Sequence, residues 1–126
     1  MTILDSNVWI GFLYKDDALH KKAEKIFQLC EKPIVIPEYI AIETSSVLSQ
    51  KAGKRIADGF LELIMQSKDV EALFAEDQFF IEVIEFFKHG KEKRLSFIDV
   101  ALLYLSRSYQ IITFDKNLEK ALKARN

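Results

Sequence analysis

The chain has 126 residues, 49% of them hydrophobic and 29% charged, which excludes a largely disordered protein. At this length roughly 65–70% of the unfolded surface can be buried, so a core needs no metal or disulfide staple. Four glycines and two prolines leave little material for the turns of an all-β sandwich. The 18 basic and 19 acidic residues nearly cancel, which excludes the overall positive field of a non-specific nucleic-acid binder and leaves local basic patches.

Met1-Thr2-Ile3-Leu4 meets Asp5 at once, so no signal peptide is expected. No uncharged apolar run reaches the roughly 18 residues of a membrane span, so no membrane partner is expected. The single cysteine, Cys30, cannot form an internal disulfide, and His20 and His89 lie far apart. These features point to a cytoplasmic single domain over residues 1–126.

In chain order, short β-branched and apolar segments predict strands over Thr2–Leu4, Pro33–Ile36, Val70–Ala75 and Gln110–Phe114. Helical periodicity predicts Ala18–Lys32, with Asp16 and Asp17 as N-caps and Leu19, Ala23, Ile26, Phe27 and Cys30 on one face. Tyr39–Lys51 follows Pro37 and stops at Gly53. Lys54–Gln66 turns Ile56, Phe60, Leu63 and Ile64 inward, and Asp77–Lys88 carries a stripe of Phe80, Ile81, Ile84 and Phe87 closed by Gly90. Ser96–Tyr109, nearly all apolar, is expected to be the most buried helix, and Leu118–Arg125 is short and amphipathic. Strands alternating with helices imply a central parallel sheet of about four strands with helices on both faces, a three-layer α/β fold. In such sheets ligands bind beyond the carboxyl ends of the strands.

Four carboxylates stand out against that frame. Asp5 and Asp115 end the first and last strands, so both emerge on one sheet edge, although each also suits the cap of a following helix. Glu43 shares the apolar stripe of Ile40 and Val47, and a lone carboxylate there is costly unless paired or bound to a cation. Asp99 lies in the apolar run Leu95–Leu103, where Ser96 and Asp99 also have the spacing of a capping box. Clustered carboxylates raise one another's pKa unless a cation neutralises them. Oxygen-only ligands favour Mg²⁺ or Mn²⁺, which can lower the pKa of a water and offset charge on a phosphodiester.

Ile3-Leu4-Asp5-Ser6-Asn7-Val8-Trp9-Ile10, Ile36-Pro37-Glu38-Tyr39-Ile40-Ala41-Ile42-Glu43, Leu95-Ser96-Phe97-Ile98-Asp99-Val100-Ala101 and Ile112-Thr113-Phe114-Asp115-Lys116-Asn117, in this order, resemble the motifs of PIN-domain ribonucleases. Within that family the chain is most similar to the VapC-type toxins of toxin–antitoxin pairs. The resemblance implies a PIN fold and a metal site formed by Asp5, Glu43, Asp99 and Asp115. Ser6, Asn7 and Thr113 match auxiliary polar positions, and Asn117 stands where some members carry a further acid. It implies a metal-dependent endoribonuclease in which a water activated by Mg²⁺ or Mn²⁺ hydrolyses RNA, leaving a 5′-phosphate and a 3′-hydroxyl. A homodimer and a cognate antitoxin covering the site are implied too.

Lys88, His89, Lys91, Lys93 and Arg94 precede Asp99, and Lys91, Lys93 and Arg94 are candidate contacts to RNA phosphates as well as ordinary solvated charges. His20 suits a surface or partner-facing position, and Trp9 and Phe12 suit the core. Phe79, Phe80, Phe86 and Phe87 occur as adjacent pairs, so one of each pair can face a dimer mate or antitoxin. Two other readings within the family are a housekeeping RNA-processing nuclease and a catalytically silent binding module. A receiver domain or a haloacid-dehalogenase-like phosphatase needs acids beside the first strand's aspartate, where Ser6 and Asn7 stand.

Overall fold

The computed structural model describes residues 1–91 and 93–125. Strands β1 (Thr2–Leu4), β2 (Ile34–Pro37), β3 (Val70–Leu73) and β4 (Gln110–Ile112) form one parallel sheet in the order β3-β2-β1-β4. The helices among the described residues are α1 (Ser6–Leu13), α2 (His20–Leu29), α3 (Glu38–Lys51), α4 (Lys54–Gln66), α5 (Asp77–His89), α6 (Phe97–Leu105) and α7 (Lys116–Arg125). None of them is long and apolar enough to cross a membrane.

The strand order sets the layers. From β1 to β2 to β3 the chain steps the same way, and right-handed crossovers put α1–α4 on one face. It then returns past β2 and β1 to pair β4 with β1, which puts α5 and α6 on the other face. The helix contacts agree: α1 packs on α2 and α3, and α3 on α4, while α6 packs on α5 and α7. The expected three-layer α/β arrangement is therefore the one found.

Central strands β1 and β2 are buried at every position, as strands covered on both faces must be, whereas edge strands β3 and β4 are partly exposed. Trp9, fully enclosed, meets Phe27 and Phe60 edge-on, and Phe12 stacks on Phe27 at 4.1 Å, so both α1 aromatics belong to the core side.

Several boundaries differ from the sequence expectation for local reasons. Helix α1 begins directly after Asp5. Helix α2 starts at His20 because Asp17 Oδ1 accepts from the Leu19 N–H (2.8 Å), a turn rather than a helix cap. It stops at Leu29, and Lys32 Nζ donates to the carbonyls of Phe27 (2.6 Å) and Cys30 (3.2 Å). His20 is not a free surface group: its Nδ1 contacts the Gly11 carbonyl at 2.8 Å, tying α2 to α1. Strand β2 runs through Pro37, which pairs with Leu73, and β3 ends there, with the Ala75 N–H donating to Glu38 Oε1 (2.7 Å). Helix α6 is shorter than Ser96–Tyr109: Ser96 is its cap and the chain turns after Leu105.

Two inward faces also differ. In α4, Ala57 and Phe60 are buried while Ile56 is exposed. In α5 the expected stripe is largely the outer one, with Phe80, Ile81 and Phe87 exposed, Ile84 half-buried and Val83 buried. Phe79 and Phe86 lie edge-on to Tyr104 of α6, and Phe80 and Phe87 lie edge-on to Phe97. With apolar residues nearly all round α5, the position of α6 decides which of them are enclosed.

Candidate active site

The strand order reverses between β1 and β4, and the carboxyl ends of these two strands meet there. In α/β sheets such a reversal opens a crevice where ligands bind. The Asp5 N–H donates to the Ile112 carbonyl (2.9 Å), extending the pairing of Leu4 with Ile112 and setting Asp5 beside Thr113. Here β4 ends earlier than its β-branched sequence suggests, because Thr113 and Phe114 bond to residues at the start of α1.

Thr113 holds this corner together. Its hydroxyl donates to Asp5 Oδ2 (2.7 Å) and accepts from Asn7 Nδ2 (3.3 Å) and the Asp115 N–H (3.0 Å). One hydroxyl with one proton and two lone pairs is thereby fully used. Asn7 Oδ1 accepts from the Phe114 N–H (3.1 Å), so the auxiliary residues Asn7 and Thr113 stitch the two strand ends together. Ser6 contributes its backbone N–H, which donates to Asp5 Oδ1 (2.7 Å).

Asp5 is 4% exposed. Burial pushes its carboxyl above the usual aspartate range, against the lowering effect of the Thr113 and Ser6 bonds, and the charges of Asp99 and Glu43 push the same way. Thus α3 and α6 bring Glu43 and Asp99 within electrostatic reach of Asp5. Both are half-buried. Among the described residues none of these three, nor Asp115, forms an ion pair with a basic side chain. The salt bridge that would have made Glu43 a purely structural carboxylate is thus not present.

Three of the acids also bond backbone N–H groups at helix beginnings. Asp5 caps α1, Asp99 and Ser96 form the capping box of α6 (3.1 and 3.2 Å), and Asp115 Oδ1 accepts from the Leu118 N–H of α7 (3.0 Å). Cap and site are compatible, because the positive end of each helix lowers the cost of collecting negative charge. Asp115 is tied to this corner by its backbone N–H on Thr113, while its carboxylate is turned to the start of α7. No three His, Cys, Asp or Glu side chains among the described residues stand at the spacing needed to hold one ion together.

Tyr39, to which the sequence assigns no role, lies in the field of the same acids. It stands two positions beyond β2 and one turn before Glu43, so the two share a helix face. Its hydroxyl oxygen is buried without a hydrogen-bond partner. Burial and the charges of Asp5, Glu43 and Asp99 push its pKa far up, so it is a proton donor at any ordinary pH. The i, i+4 spacing to Glu43 was the available signal, masked because a tyrosine in a first helical turn also suits the core.

Lys91, Lys93 and Arg94 are exposed on the connection between α5 and α6, beside exposed Lys88 and His89. His89 reaches back to Glu85 at 3.2 Å. Lys51, Lys54 and Arg55 are exposed where α3 meets α4, and Lys54 pairs with Asp58 (2.8 Å).

The fold has a solved counterpart. The crystal structure of Mycobacterium tuberculosis VapC20, described as a sarcin-ricin loop cleaving toxin, superposes with a TM-score of 0.85 at 19% identity. The similarity covers 96% of this chain and 95% of that one. No curated protein matches the sequence. The PIN domain family model, however, matches residues 2–123, a span that takes in β1 with Asp5 and β4 with Thr113 and Asp115, and the chain belongs to the PIN domain family.

Proposed function

We propose that this PIN domain is a metal-dependent endoribonuclease that hydrolyses RNA phosphodiesters, and that it is the toxin of a toxin–antitoxin pair. The observation that carries the nuclease reading is Asp5: a buried carboxyl at the sheet's reversal point, facing the charges of Glu43 and Asp99, with no salt bridge to a cationic side chain among the described residues. Such a cluster is costly by itself and is relieved by a cation. An all-oxygen donor set suits Mg²⁺ or Mn²⁺. Since no three candidate side chains converge, Asp5 with one of Glu43, Asp99 or Asp115 would hold the ion, and water and substrate oxygens would fill its shell, as is usual for Mg²⁺. When bound, such an ion supplies a water nucleophile at neutral pH and offsets the charge that builds on the phosphodiester.

The chain's own residues then have distinct tasks. Thr113 and the Ser6 N–H fix both oxygens of Asp5, so the carboxylate cannot rotate away. Asn7 keeps the β4 end against α1, and with it the position of Asp115. Lys91, Lys93 and Arg94 carry exposed positive charge toward RNA phosphates, whose contacts position a strand without reading its sequence.

The toxin reading draws support from the fold match to VapC20 and from the near-complete mutual coverage of two small chains. It brings with it a cytoplasmic setting, a cognate antitoxin over the acidic site and a homodimer. The test is cleavage of a mixed RNA pool by antitoxin-free protein with Mg²⁺, Mn²⁺ or EDTA, beside Asp5→Asn. Metal-dependent cleavage that disappears in the variant is the expected result. Silence of the wild-type protein with every metal, while RNA or a partner protein still binds, would leave a binding module.

A further inference from the structure

Helix α2 turns Lys22, Lys25, Ile26 and Leu29, spaced as one helical stripe, toward the outer strand β4, where Gln110 and Ile112 complete an open cleft of about 570 Å³. The cleft lies outside the acid corner yet is continuous with it. Ile112 lines the cleft, and its carbonyl accepts from the Asp5 N–H at 2.9 Å. Toward the same strand end, Lys22 Nζ stands 5.5 Å from the ring centre of Phe114, the residue between Thr113 and Asp115. Lys22 and Lys25 are exposed, and neither forms an ion pair among the described residues. Glu31, at the far end, is held by the Met1 amine at 3.0 Å. The cleft thus has a cationic end toward Asp115, an apolar middle and a polar end whose one acid is already paired.

An occupant matched to this order brings anions to the two lysines and an apolar surface to the residues beyond them. Phosphate and base of one nucleotide do both, and the volume is that of an ordinary small-ligand site. Leu29 is 75% exposed, so the apolar middle gains cover only when it is filled. A protein strand added to the open edge of β4 would take up the same space without supplying anions for Lys22 and Lys25. We propose that the α2–β4 cleft is a subsite for an RNA nucleotide flanking the cleaved phosphodiester, with phosphates on Lys22 and Lys25 and the base against Ile26, Leu29 and Ile112. This rests on the nuclease reading. Gln110 carries both a donor and an acceptor to the edge of that base, which is how splayed single-stranded bases are distinguished.

The test compares wild type with Lys22→Gln/Lys25→Gln and with Leu29→Ala, all at exposed positions, so the thermal midpoints should agree. Equilibrium binding of a short single-stranded RNA of mixed sequence is measured over a salt series in Ca²⁺, and KM and kcat of its cleavage in Mg²⁺ or Mn²⁺. The lysine variant should lower the slope of log affinity against log salt by about 1.4, at about 0.7 for each phosphate contact on a single strand, and raise KM. Leu29→Ala should bind about fivefold more weakly with an unchanged slope, because it removes apolar contact and no charge. An unchanged slope in the lysine variant overturns the assignment, as does wild-type affinity in Leu29→Ala, and the cleft then falls to a protein strand. If wild type binds RNA without cutting it and both variants show these losses, the nuclease reading fails and the subsite stands. If wild type cuts RNA and the variants match it, the subsite alone fails. If wild type neither binds nor cuts, both fail.

Discussion

Thr113 illustrates how much a single hydroxyl carries in this corner, because it serves a carboxylate, a carboxamide and a backbone N–H at once. Thr113→Val keeps the shape and leaves those groups unpaired in a buried place. It should cost about 1–3 kcal/mol in urea unfolding, and Thr113→Ser should recover most of that. Asp5 behaves in the opposite sense. Its folded pKa is raised, so the folded chain holds that proton more tightly than the unfolded chain. The associated stability is complete below the ordinary aspartate pKa and is lost as pH rises through the raised value. In EDTA at neutral pH, Asp5→Asn should therefore have a higher thermal midpoint than wild type, with the gap closing in acid. Mg²⁺ should raise the midpoint of wild type more than that of the variant, since a ligand stabilises only the state that binds it. An equal Mg²⁺ response in the two proteins would remove Asp5 from the cation site.

At the level of elements, the joint between α3 and α4 depends on Gly53. Its φ of +96° lies in the left-handed region, and its N–H bonds the Leu48 carbonyl at 3.1 Å. A Cβ there would meet nothing within 4 Å, so Gly53→Ala should cost about 1–2 kcal/mol from backbone strain alone. Helix α5 offers a sharper comparison. Val83 is 2% exposed and Ile81 54%. Val83→Ala should cost about 2 kcal/mol, and Ile81→Ala should stay within about 0.5 kcal/mol, by denaturant midpoints. The reverse order would restore the face expected from sequence. That face was not legible because periodicity reports which residues share a side, whereas the enclosed side is settled by a partner far along the chain. Here Tyr104 takes Phe79 and Phe86 edge-on, and its hydroxyl bonds Glu82. Strand ends were legible within a residue or two, because Asp5 and Pro37 punctuate the chain locally.

For the whole molecule, the alternation of strands and helices was enough to imply the parallel sheet, and an aspartate after the first and last strands pointed to one edge of it. That β4 pairs with β1, bringing Asp5 against Thr113, is a matter of strand order and not of any local pattern. The surroundings of Tyr39 were illegible for a related reason: its hydroxyl is buried without a partner among the described residues, near Asp5, Glu43 and Asp99, only once β1, α3 and α6 have assembled. The proposed recognition of RNA belongs to this scale too, since the chain is nearly neutral and any positive charge used for it would act locally. Replacing Lys91, Lys93 and Arg94 together by glutamine should lower the slope of log affinity against log salt by about 2 for single-stranded RNA. An unchanged slope would place those charges away from the nucleic acid.

The acids' second employment as helix caps narrows how such a protein can be silenced. Asparagine caps a helix as well as aspartate does, but alanine at an N-cap such as Asp5 gives up about 1 kcal/mol. Under the nuclease reading, exchange of carboxylate for carboxamide at Asp5 would remove the charge at the site while leaving the beginning of α1 intact, and the same exchange at Asp99 or Asp115 would keep an acceptor for the Ser96 or Leu118 N–H. Truncation to alanine removes charge and frame together. Inactive descendants that persist as folded binding proteins should then carry amides at these positions, and alanine at any of them should be found with compensation elsewhere in the same helix.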